Sequence, residues 1–441
     1  MDVLDLLSSL VSFQTVNDPG KCEMPSRECP AFIQSTLQSW GIDSEIIEHN
    51  GAYAVVGEIG EGLSKVMVMA HFDVVPVSKD EWHYEPFKLT VEGTKAYGRG
   101  SVDDKGNVAS LMFALKELKE KPLNGKVLFA FTGDEETGGA TALYIAEKLN
   151  ETNKLPSFLI NADGTGMIPI VRRRKGFSLT ISVPAAKKIT KGKLEEQTFE
   201  IRTPVVETRH AAYLLPGVDT HPLIAASQFL RETDYEAASL TGAFLKSNVV
   251  PGTVTLTYVK PDQGTQSEVE VDENLTKLIR AVVPSIRATI KAEKYSDFGV
   301  SITPNMYAFD GARHSLSLDI RAMSHDNQDI ERTLKEVLSY NLPDAEVDFG
   351  NKEKAGFLFT DPKEPFVQTV LQVLKEYGER AKAVEGAGAA DSRYFTPLGV
   401  KAIDFGPKGG NVHGPNEYVE VASLRKLPNV YMQIIDRLLS F

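Results

Sequence analysis

Residues 125–139, GKVLFAFTGDEETGG, decide the fold class. An unbroken apolar run ends abruptly in acidic residues, which is the pattern of a central strand buried on both faces of a parallel sheet. The stretches KVMVMAHFD at 65–73 and PSFLINAD at 156–163 follow the same plan. Segments in which apolar residues have helical spacing alternate with these strands, for example from Gly106 to Leu118. This alternation predicts an α/β sheet with helices on both faces.

The composition is that of an ordinary globular protein: 441 residues, of which 42% are hydrophobic and 24% are charged. The net charge of −12 argues against a nucleic acid or an anionic membrane as partner. No apolar run in the sequence approaches the roughly 18 residues of a membrane-spanning helix. The opening MDVLDLLSSLVSF lacks a basic region and a cleavage site, so it predicts an amphipathic helix rather than a signal. We therefore expect a cytoplasmic protein.

The character of the sequence changes near Lys175. From there, strands of alternating polarity such as 314–322, HSLSLDIRA, and two or more helices predict a small α+β domain at 176–350. The flanking segments 1–175 and 351–441 keep the α/β pattern. The simplest organisation is one α/β domain interrupted by an inserted second domain. Two cysteines are too few for a disulfide framework or a thiolate zinc site, although one local disulfide stays open.

Acids and histidines follow the predicted buried strands. In open α/β sheets, ligands bind at the carboxyl ends of the strands. Each residue alone has an ordinary explanation as a surface histidine, a loop acid or a helix cap. Those explanations predict no common location, whereas all of these residues would meet at one edge of one sheet. The set comprises His71, Asp73, Asp103, Glu135, Glu136, Asp163 and His413.

Histidines and carboxylates without thiolates suit zinc, with cobalt or manganese as substitutes. Two histidines and three carboxylates can hold two metal ions if one carboxylate bridges them. Two ions about 3.5–4 Å apart can activate a water molecule and stabilise a developing oxyanion. A further carboxylate must stay off the metals and act as general base. The adjacent Glu135 and Glu136 point in different directions, so one can bind a metal while the other reaches the water.

Four motifs, in this order and spacing, resemble the di-zinc metallopeptidase family of aminoacylase, acetylornithine deacetylase, succinyl-diaminopimelate desuccinylase and carboxypeptidase G. They are HFDVVP at 71–76, GRGSVDDKG at 98–106, GDEETGG at 133–139 and NVHGPNE at 411–417. The resemblance implies an α/β, zinc-peptidase-like catalytic domain. It also implies that the inserted domain is a ferredoxin-like α+β lid that mediates dimerisation.

Carried over position by position, the resemblance implies two zinc ions per subunit. His71 and Asp163 would hold one ion. Glu136 and His413 would hold the other, and Asp103 would bridge the two.

The resemblance also implies the residues that act around the metals. Asp73 would hold the far nitrogen of His71, and Glu135 would be the general base. The peptide bond between Asp103 and Asp104 would be cis, as in relatives.

Further residues resemble the family's substrate-binding segments. His210, in RHAAYLLPGV, matches a histidine that reaches across a dimer to the reaction centre, and Arg321, in LDIRA, matches a lid arginine that can hold a substrate carboxylate. A surface histidine and an exposed strand arginine remain the alternatives. GAADSRYF resembles the glycine-rich substrate loop and contributes Gly388, Asp391 and Arg393.

Departures from the desuccinylases weigh against succinyl-diaminopimelate as the substrate. Ala389 and Ala390 stand where those enzymes carry hydroxyl residues, and Gly409 stands where they carry asparagine. We therefore predict a metal-dependent hydrolase that cleaves the amide bond of an N-acyl amino acid by metal-activated water. A carboxypeptidase or dipeptidase of the same family is the alternative. A binding protein that keeps the fold without catalysis would have lost Glu135 or a ligand, and none is lost.

Overall fold

The computed structural model divides into two compact units, Met1–Arg173 with Lys354–Phe441, and Arg174–Glu353. The division expected from the sequence placed these junctions at 175/176 and 350/351. The structure describes all residues except 1, 19–20, 205–210, 212–213, 215–216, 246, 248, 263, 265–266, 289–299, 325–326, 351–354 and 387.

The helices lie where the spacing of apolar residues predicts them. The first begins with a capping box, in which Asp2 accepts hydrogen bonds from the first turn and Asp5 bonds back to the cap. The helices are α1 (Val3–Ser12), α2 (Glu28–Ser39), α3 (Lys105–Lys119), α4 (Ala140–Glu151), α5 (Pro222–Arg231), α6 (Glu273–Ile286), α7 (Gln328–Asn341), α8 (Pro365–Glu376) and α9 (Val421–Leu439).

The strands range from short pairs of residues to the long β10 of the second unit. The strands are β1 (Ser44–His49), β2 (Ala52–Ile59), β3 (Ser64–His71), β4 (Thr90–Glu92), β5 (Lys95–Tyr97), β6 (Lys126–Thr132), β7 (Phe158–Asn161), β8 (Ile170–Arg173), β9 (Lys175–Pro184), β10 (Lys187–Glu200), β11 (Glu236–Gly242), β12 (Thr253–Pro261), β13 (Glu268–Asp272), β14 (Val300–Phe309), β15 (Arg313–Ala322), β16 (Glu346–Phe349), β17 (Leu358–Phe359), β18 (Val384–Glu385), β19 (Lys401–Asp404), β20 (Gly409–Gly410) and β21 (Tyr418–Glu420).

The first unit is built on a mixed sheet with the order β1-β2-β6-β3-β7-β19-β8-β17, in which β18 pairs with β8. Its centre is parallel, because β3 runs parallel to both β6 and β7, and β7 runs parallel to β19. Both β3 and β6 are buried over nearly their whole length. The prediction of central strands from unbroken apolar runs is confirmed at these positions.

Helices cover both faces of this sheet, as the sequence predicts. On one face α1, α3 and α9 pack together, and their apolar side chains share one core with those of α2 and α8. On the other face α4 packs near β1 and β2 over a smaller core that includes Met67 and Leu128. A small antiparallel sheet, β20-β21-β5-β4, belongs to the same unit and carries the loop of His413 between β20 and β21.

The second unit contains two four-stranded antiparallel sheets, with orders β14-β15-β9-β16 and β11-β12-β10-β13. Strands of alternating polarity in this region predict one sheet with a single covered face, whereas the structure has two sheets. The second sheet is built partly on β10, which contains the polar, lysine-rich stretch 187–197. A strand whose side chains are mostly exposed has no apolar pattern in sequence, because its stability comes from pairing with β12 and β13.

Two smaller expectations are also answered. Cys22 and Cys29 are both free thiols, so no local disulfide joins them. Among the described residues, no helix combines the length and the apolar character needed to cross a bilayer.

Candidate metal centre

The predicted metal ligands lie where the parallel strands β3, β6 and β7 end. His71 is the last residue of β3. Glu135 and Glu136 lie on the turn after β6, and Asp163 follows β7. Because β3 pairs in parallel with β6 on one side and β7 on the other, the three strand ends meet at one edge of the sheet.

Asp103 lies between the two predicted histidine ligands. Its Oδ1 is 3.0 Å from His71 Nε2, and its Oδ2 is 3.1 Å from His413 Nε2. His413 Nε2 is also 3.1 Å from Glu136 Oε1. The four side chains therefore form one continuous series of contacts, with a carboxylate at its centre that faces one imidazole from each oxygen.

Two overlapping groups of side chains could each hold a cation. In one, ligand atoms of His71, Glu135 and Asp163 lie within 4.8 Å of one another. In the other, the same holds for His71, Asp103 and Glu136. The first group contains Glu135, the predicted general base, whereas the resemblance implied that Asp103 would join His71 and Asp163 there. The adjacent glutamates thus belong to different groups.

Asp73 is fully buried and joins two ligand-bearing segments. Its Oδ1 is 3.3 Å from His71 Nδ1. The backbone N–H groups of Glu135 and Glu136 donate to its two oxygens at 3.2 and 3.1 Å, and Asn17 Nδ2 donates at 3.2 Å. The backbone carbonyl oxygen of Asp73 also lies 3.1 Å from His71 Nδ1, so this residue orients the imidazole of a predicted ligand through both its backbone and its carboxylate. Here it also fixes the turn that carries both glutamates.

Burial dominates the electrostatics of the cluster. It raises the pKa of Glu135 well above its ordinary value, raises that of Glu136 to about 7, and raises that of Asp163 as well. Neighbouring carboxylates add to each shift. Burial alone would lower the pKa of His71, but its hydrogen bond to Asp103 contributes to holding it well above the usual value. So much buried negative charge beside imidazole nitrogens fits divalent cations such as zinc.

Residues 67–437 match the model of Peptidase family M20/M25/M40. The chain belongs to this family. As a member it is a metal-dependent hydrolase of amide C–N bonds, as the sequence analysis predicts.

Similar M20 proteins cover the whole length of the chain. A succinyl-diaminopimelate desuccinylase of a Nitratiruptor species is 25% identical over an alignment of 443 positions, which covers 99% of each chain. The M20 metallo-carboxypeptidase Sso-CP2 of Sulfolobus solfataricus is 17% identical, with a TM-score of 0.64 over 100% of both chains. Aminoacylhistidine dipeptidase of Vibrio alginolyticus is 13% identical, with a TM-score of 0.73 over 99% of this chain and 96% of that one. At these identities the two structures establish the shared mixed α/β fold.

Arg173 supports the candidate metal centre, although no motif in the sequence pointed to it. The buried guanidinium forms an ion pair with Asp404, donates from Nη2 to the carbonyl oxygen of Asp163 at 2.7 Å, and donates from Nη1 to that of Gly388 at 3.3 Å. It therefore ties a predicted ligand to the predicted substrate loop. The signal in sequence was the run of arginines before Lys175, in a chain that is otherwise acidic.

Asn17 was also missed, because nothing around it in sequence suggests a role. Its Nδ2 donates to Asp73 Oδ2. It also donates to Thr137 Oγ1, on the turn after β6, at 2.9 Å. Glu417 ends the motif NVHGPNE at 411–417, and the sequence predicts no role for it. It accepts the backbone N–H of Asp103 at 3.1 Å.

The predicted substrate loop packs against the turn that carries the two glutamates. Asp391 is buried, and Thr132 Oγ1 donates to its Oδ2 at 3.3 Å. A Cβ on Gly139, which has φ +68°, would lie 2.1 Å from Asp391 Oδ1, so only glycine allows this approach. Arg393 Nη2 donates to the carbonyl oxygen of Gly138 at 2.8 Å. These contacts are with the protein itself, and they hold the loop in place.

Two predicted substrate-binding residues remain, Arg321 and His210. Arg321, on β15 of the second unit, is largely buried and pairs through Nε with Asp319 Oδ2 at 2.9 Å. His210 lies outside the described residues. The Asp103–Asp104 peptide bond is cis, which confirms the expectation from the resemblance.

Proposed function

We propose that the protein hydrolyses the amide bond of an N-acyl amino acid, with two zinc ions per subunit that cobalt or manganese can replace. The observation that carries this proposal is the Asp103 carboxylate, which faces His71 with one oxygen and His413 with the other. A carboxylate placed in this way suits a ligand that bridges two ions. Asp163 would complete the ligands on the His71 side, and Glu136 those on the His413 side.

The bound ions would polarise the amide carbonyl and lower the pKa of a water molecule. Glu135 would accept a proton from that water and deliver it to the leaving amine. Burial raises the pKa of Glu135. Asp73 would hold His71 through Nδ1, so that Nε2 stays directed toward Asp103.

The substrate class is supported by the relative named as a desuccinylase, which matches over 99% of both chains. A free carboxylate beside the scissile amide is part of such a substrate. Arg321 would bind that carboxylate. Gly388, Asp391 and Arg393 would shape the loop against which the substrate lies.

A carboxypeptidase or dipeptidase activity is the second candidate, and one departure from the desuccinylases keeps it open beside an N-acyl amino acid without a succinyl group. Ala389 and Ala390 replace the hydroxyl residues of the desuccinylases. Methyl groups cannot donate hydrogen bonds to a succinyl carboxylate, so an acyl group without that charge, or a peptide, fits these positions better.

The second unit is proposed to be a lid and dimerisation domain of a cytoplasmic homodimer. Its sheet β14-β15-β9-β16 has the strand order of a ferredoxin-like β-α-β-β-α-β unit, with α6 and α7 as the helices. His210 of one subunit would serve the reaction centre of the other. Residues of this domain would close over the substrate.

Metal analysis followed by a substrate screen tests the proposal. We expect about two zinc-class ions per chain in metal-reconstituted protein, and we expect His413→Ala to bind one of them far more weakly, because it removes a ligand from one side only. Acetyl-amino acids, succinyl-amino acids and dipeptides should then be compared by kcat/KM. A His413→Ala variant that held two ions with unchanged affinity would contradict the assignment, and turnover of dipeptides alone would favour the second candidate.

A further inference from the structure

Glu417 is buried, and its carboxylate accepts hydrogen bonds from one short segment of chain, residues 99–103. Its Oε1 accepts the backbone N–H groups of Val102 at 3.0 Å and Asp103 at 3.1 Å. Its Oε2 accepts the N–H of Gly100 at 3.0 Å and Arg99 Nη1 at 2.7 Å. Successive N–H groups turned toward one carboxylate form a concave anion-binding nest.

Arg99 completes the connection between the two segments. Its side chain is 2% exposed, and its Nη2 donates to the carbonyl oxygen of His413 at 3.4 Å. The N–H of Gly98 donates to the carbonyl oxygen of Glu417 at 3.0 Å. We call Arg99 and Glu417, with these bonds, the Arg99–Glu417 clasp.

The clasp lies between two proposed metal ligands on separate loops. Asp103 is directly bonded to Glu417 through its N–H, and His413 precedes Glu417 in the same hairpin loop. Within the loop, the N–H of Gly414 donates to the carbonyl oxygen of Asn411 at 2.8 Å, and Asn411 Nδ2 donates to that of Asn416 at 3.2 Å. Asn411, His413 and Asn416 have φ values of 58°, 60° and 55°, a left-handed conformation that is uncommon for residues other than glycine, although asparagine and histidine adopt it more often than most. The imidazole of His413 is 53% exposed.

We infer that the Arg99–Glu417 clasp is a positioning device that sets the affinity of the metal ion on the His413 side. It holds the loop so that His413 Nε2 meets Asp103 Oδ2, at 3.1 Å. Neither clasp residue belongs to the groups of side chains that could hold a cation. The ion on the His413 side depends on the clasp through two ligands, His413 and Asp103, whereas the ion on the His71 side depends on it through Asp103 alone. This inference rests on the proposed two-metal site.

The primary test is Glu417→Gln, which keeps the size of the side chain but places an NH₂ group against either the N–H pair or Arg99. The affinity of each metal ion is measured by competition with a chromophoric chelator, and the environment of each by the visible spectrum of the cobalt-substituted protein. Loss of a group that orients ligands typically weakens metal binding by about 10–100-fold. We expect that loss of affinity for the ion on the His413 side, whereas the affinity for the ion on the His71 side should change by only a few-fold.

A second variant and a control keep the test decisive. Arg99→Lys retains the charge but loses the planar fork that reaches both Glu417 and the His413 carbonyl, so it should weaken the same ion less strongly. Glu376→Gln breaks an ion pair with Arg437 on α8 and α9 of the same unit, away from the strand ends, and should change neither affinity. Thermal unfolding of the metal-free proteins checks that each variant is folded. If Glu417→Gln does not fold, Arg99→Lys carries the test.

The outcomes separate this inference from the proposed function. Wild-type protein that binds fewer than two ions refutes the two-metal site and the inference with it. Wild-type protein that binds two ions, with a folded clasp variant that binds both as tightly or loses both equally, refutes the inference alone. Selectively weaker binding of the ion on the His413 side, with a changed cobalt spectrum, supports the inference.

Discussion

The two histidines of the candidate centre are held in opposite ways. His71 ends a central strand, has a side chain that is 2% exposed, and is fixed at its backbone N–H by Asp104 and at its ring by Asp73. His413 lies in a hairpin loop, has a side chain that is 53% exposed, and has a left-handed backbone. One side of the site is therefore built by the sheet itself. On the other side, a buried ion pair ties two loops together, so the two proposed metal ions should differ in how easily they are lost.

The largest expected effect is that of Glu135→Gln, which tests the chemistry on the His71 side. The amide keeps the shape of the side chain but cannot accept a proton, and the loss of general-base catalysis typically costs about 10²–10⁴ in rate. We expect kcat to fall by this amount while both ions stay bound. Steady-state kinetics and elemental analysis on the same preparation measure the two quantities.

Glu136→Gln is the matched control for that change, because it alters the neighbouring glutamate in the other group of ligands. It should release the ion on the His413 side. If Glu135→Gln also released an ion, Glu135 would be a ligand of the His71 side. Activity within a few-fold of wild type would remove Glu135 from the role of base.

The next effect concerns a histidine that belongs to neither side of the metal centre. If His210 of the partner subunit stabilises the oxyanion after the lid closes, His210→Ala should lower turnover by about 10²–10³. Mixing inactive Glu135→Gln with inactive His210→Ala under conditions of subunit exchange should restore activity, because some mixed dimers then contain one complete site. Full activity of His210→Ala alone, or no recovery despite proven exchange, would refute the cross-dimer role.

The smallest expected effect is that of Asp73→Asn, which tests the His71 side as Glu417→Gln tests the His413 side. Asp73→Asn keeps the volume of a side chain that orients His71 and accepts the N–H groups of Glu135 and Glu136. An amide at this position presents an NH₂ group to at least one of those donors. We expect about 10–100-fold weaker binding of the ion on the His71 side, with the other ion less affected. Chelator competition alongside Glu417→Gln should give complementary patterns; identical patterns would show that the two sides are not independent.

Much of the site could be predicted because its residues lie in short, local patterns. His71 and Asp73 follow an apolar run, and the two glutamates follow another, so their place at one edge of the sheet follows from strand order in a parallel sheet. The partners of these residues could not be predicted in the same way. Asn17 reaches Asp73 and the turn after β6 across more than fifty residues of chain, and no local pattern records that contact.

The sequence by itself determined the central strands, the helices that flank them and the donor groups of the metal centre. These features depend on the periodicity of apolar residues and on side-chain chemistry, both of which are written along the chain. The tertiary structure alone decided that β10 pairs into a second sheet in the inserted unit, and that Asp103 faces a different histidine with each oxygen. It also decided that Glu417 binds the segment before Asp103. The physical reason is that these contacts join residues distant in the chain, and their energies arise only when folding brings polar groups together and removes water from around them.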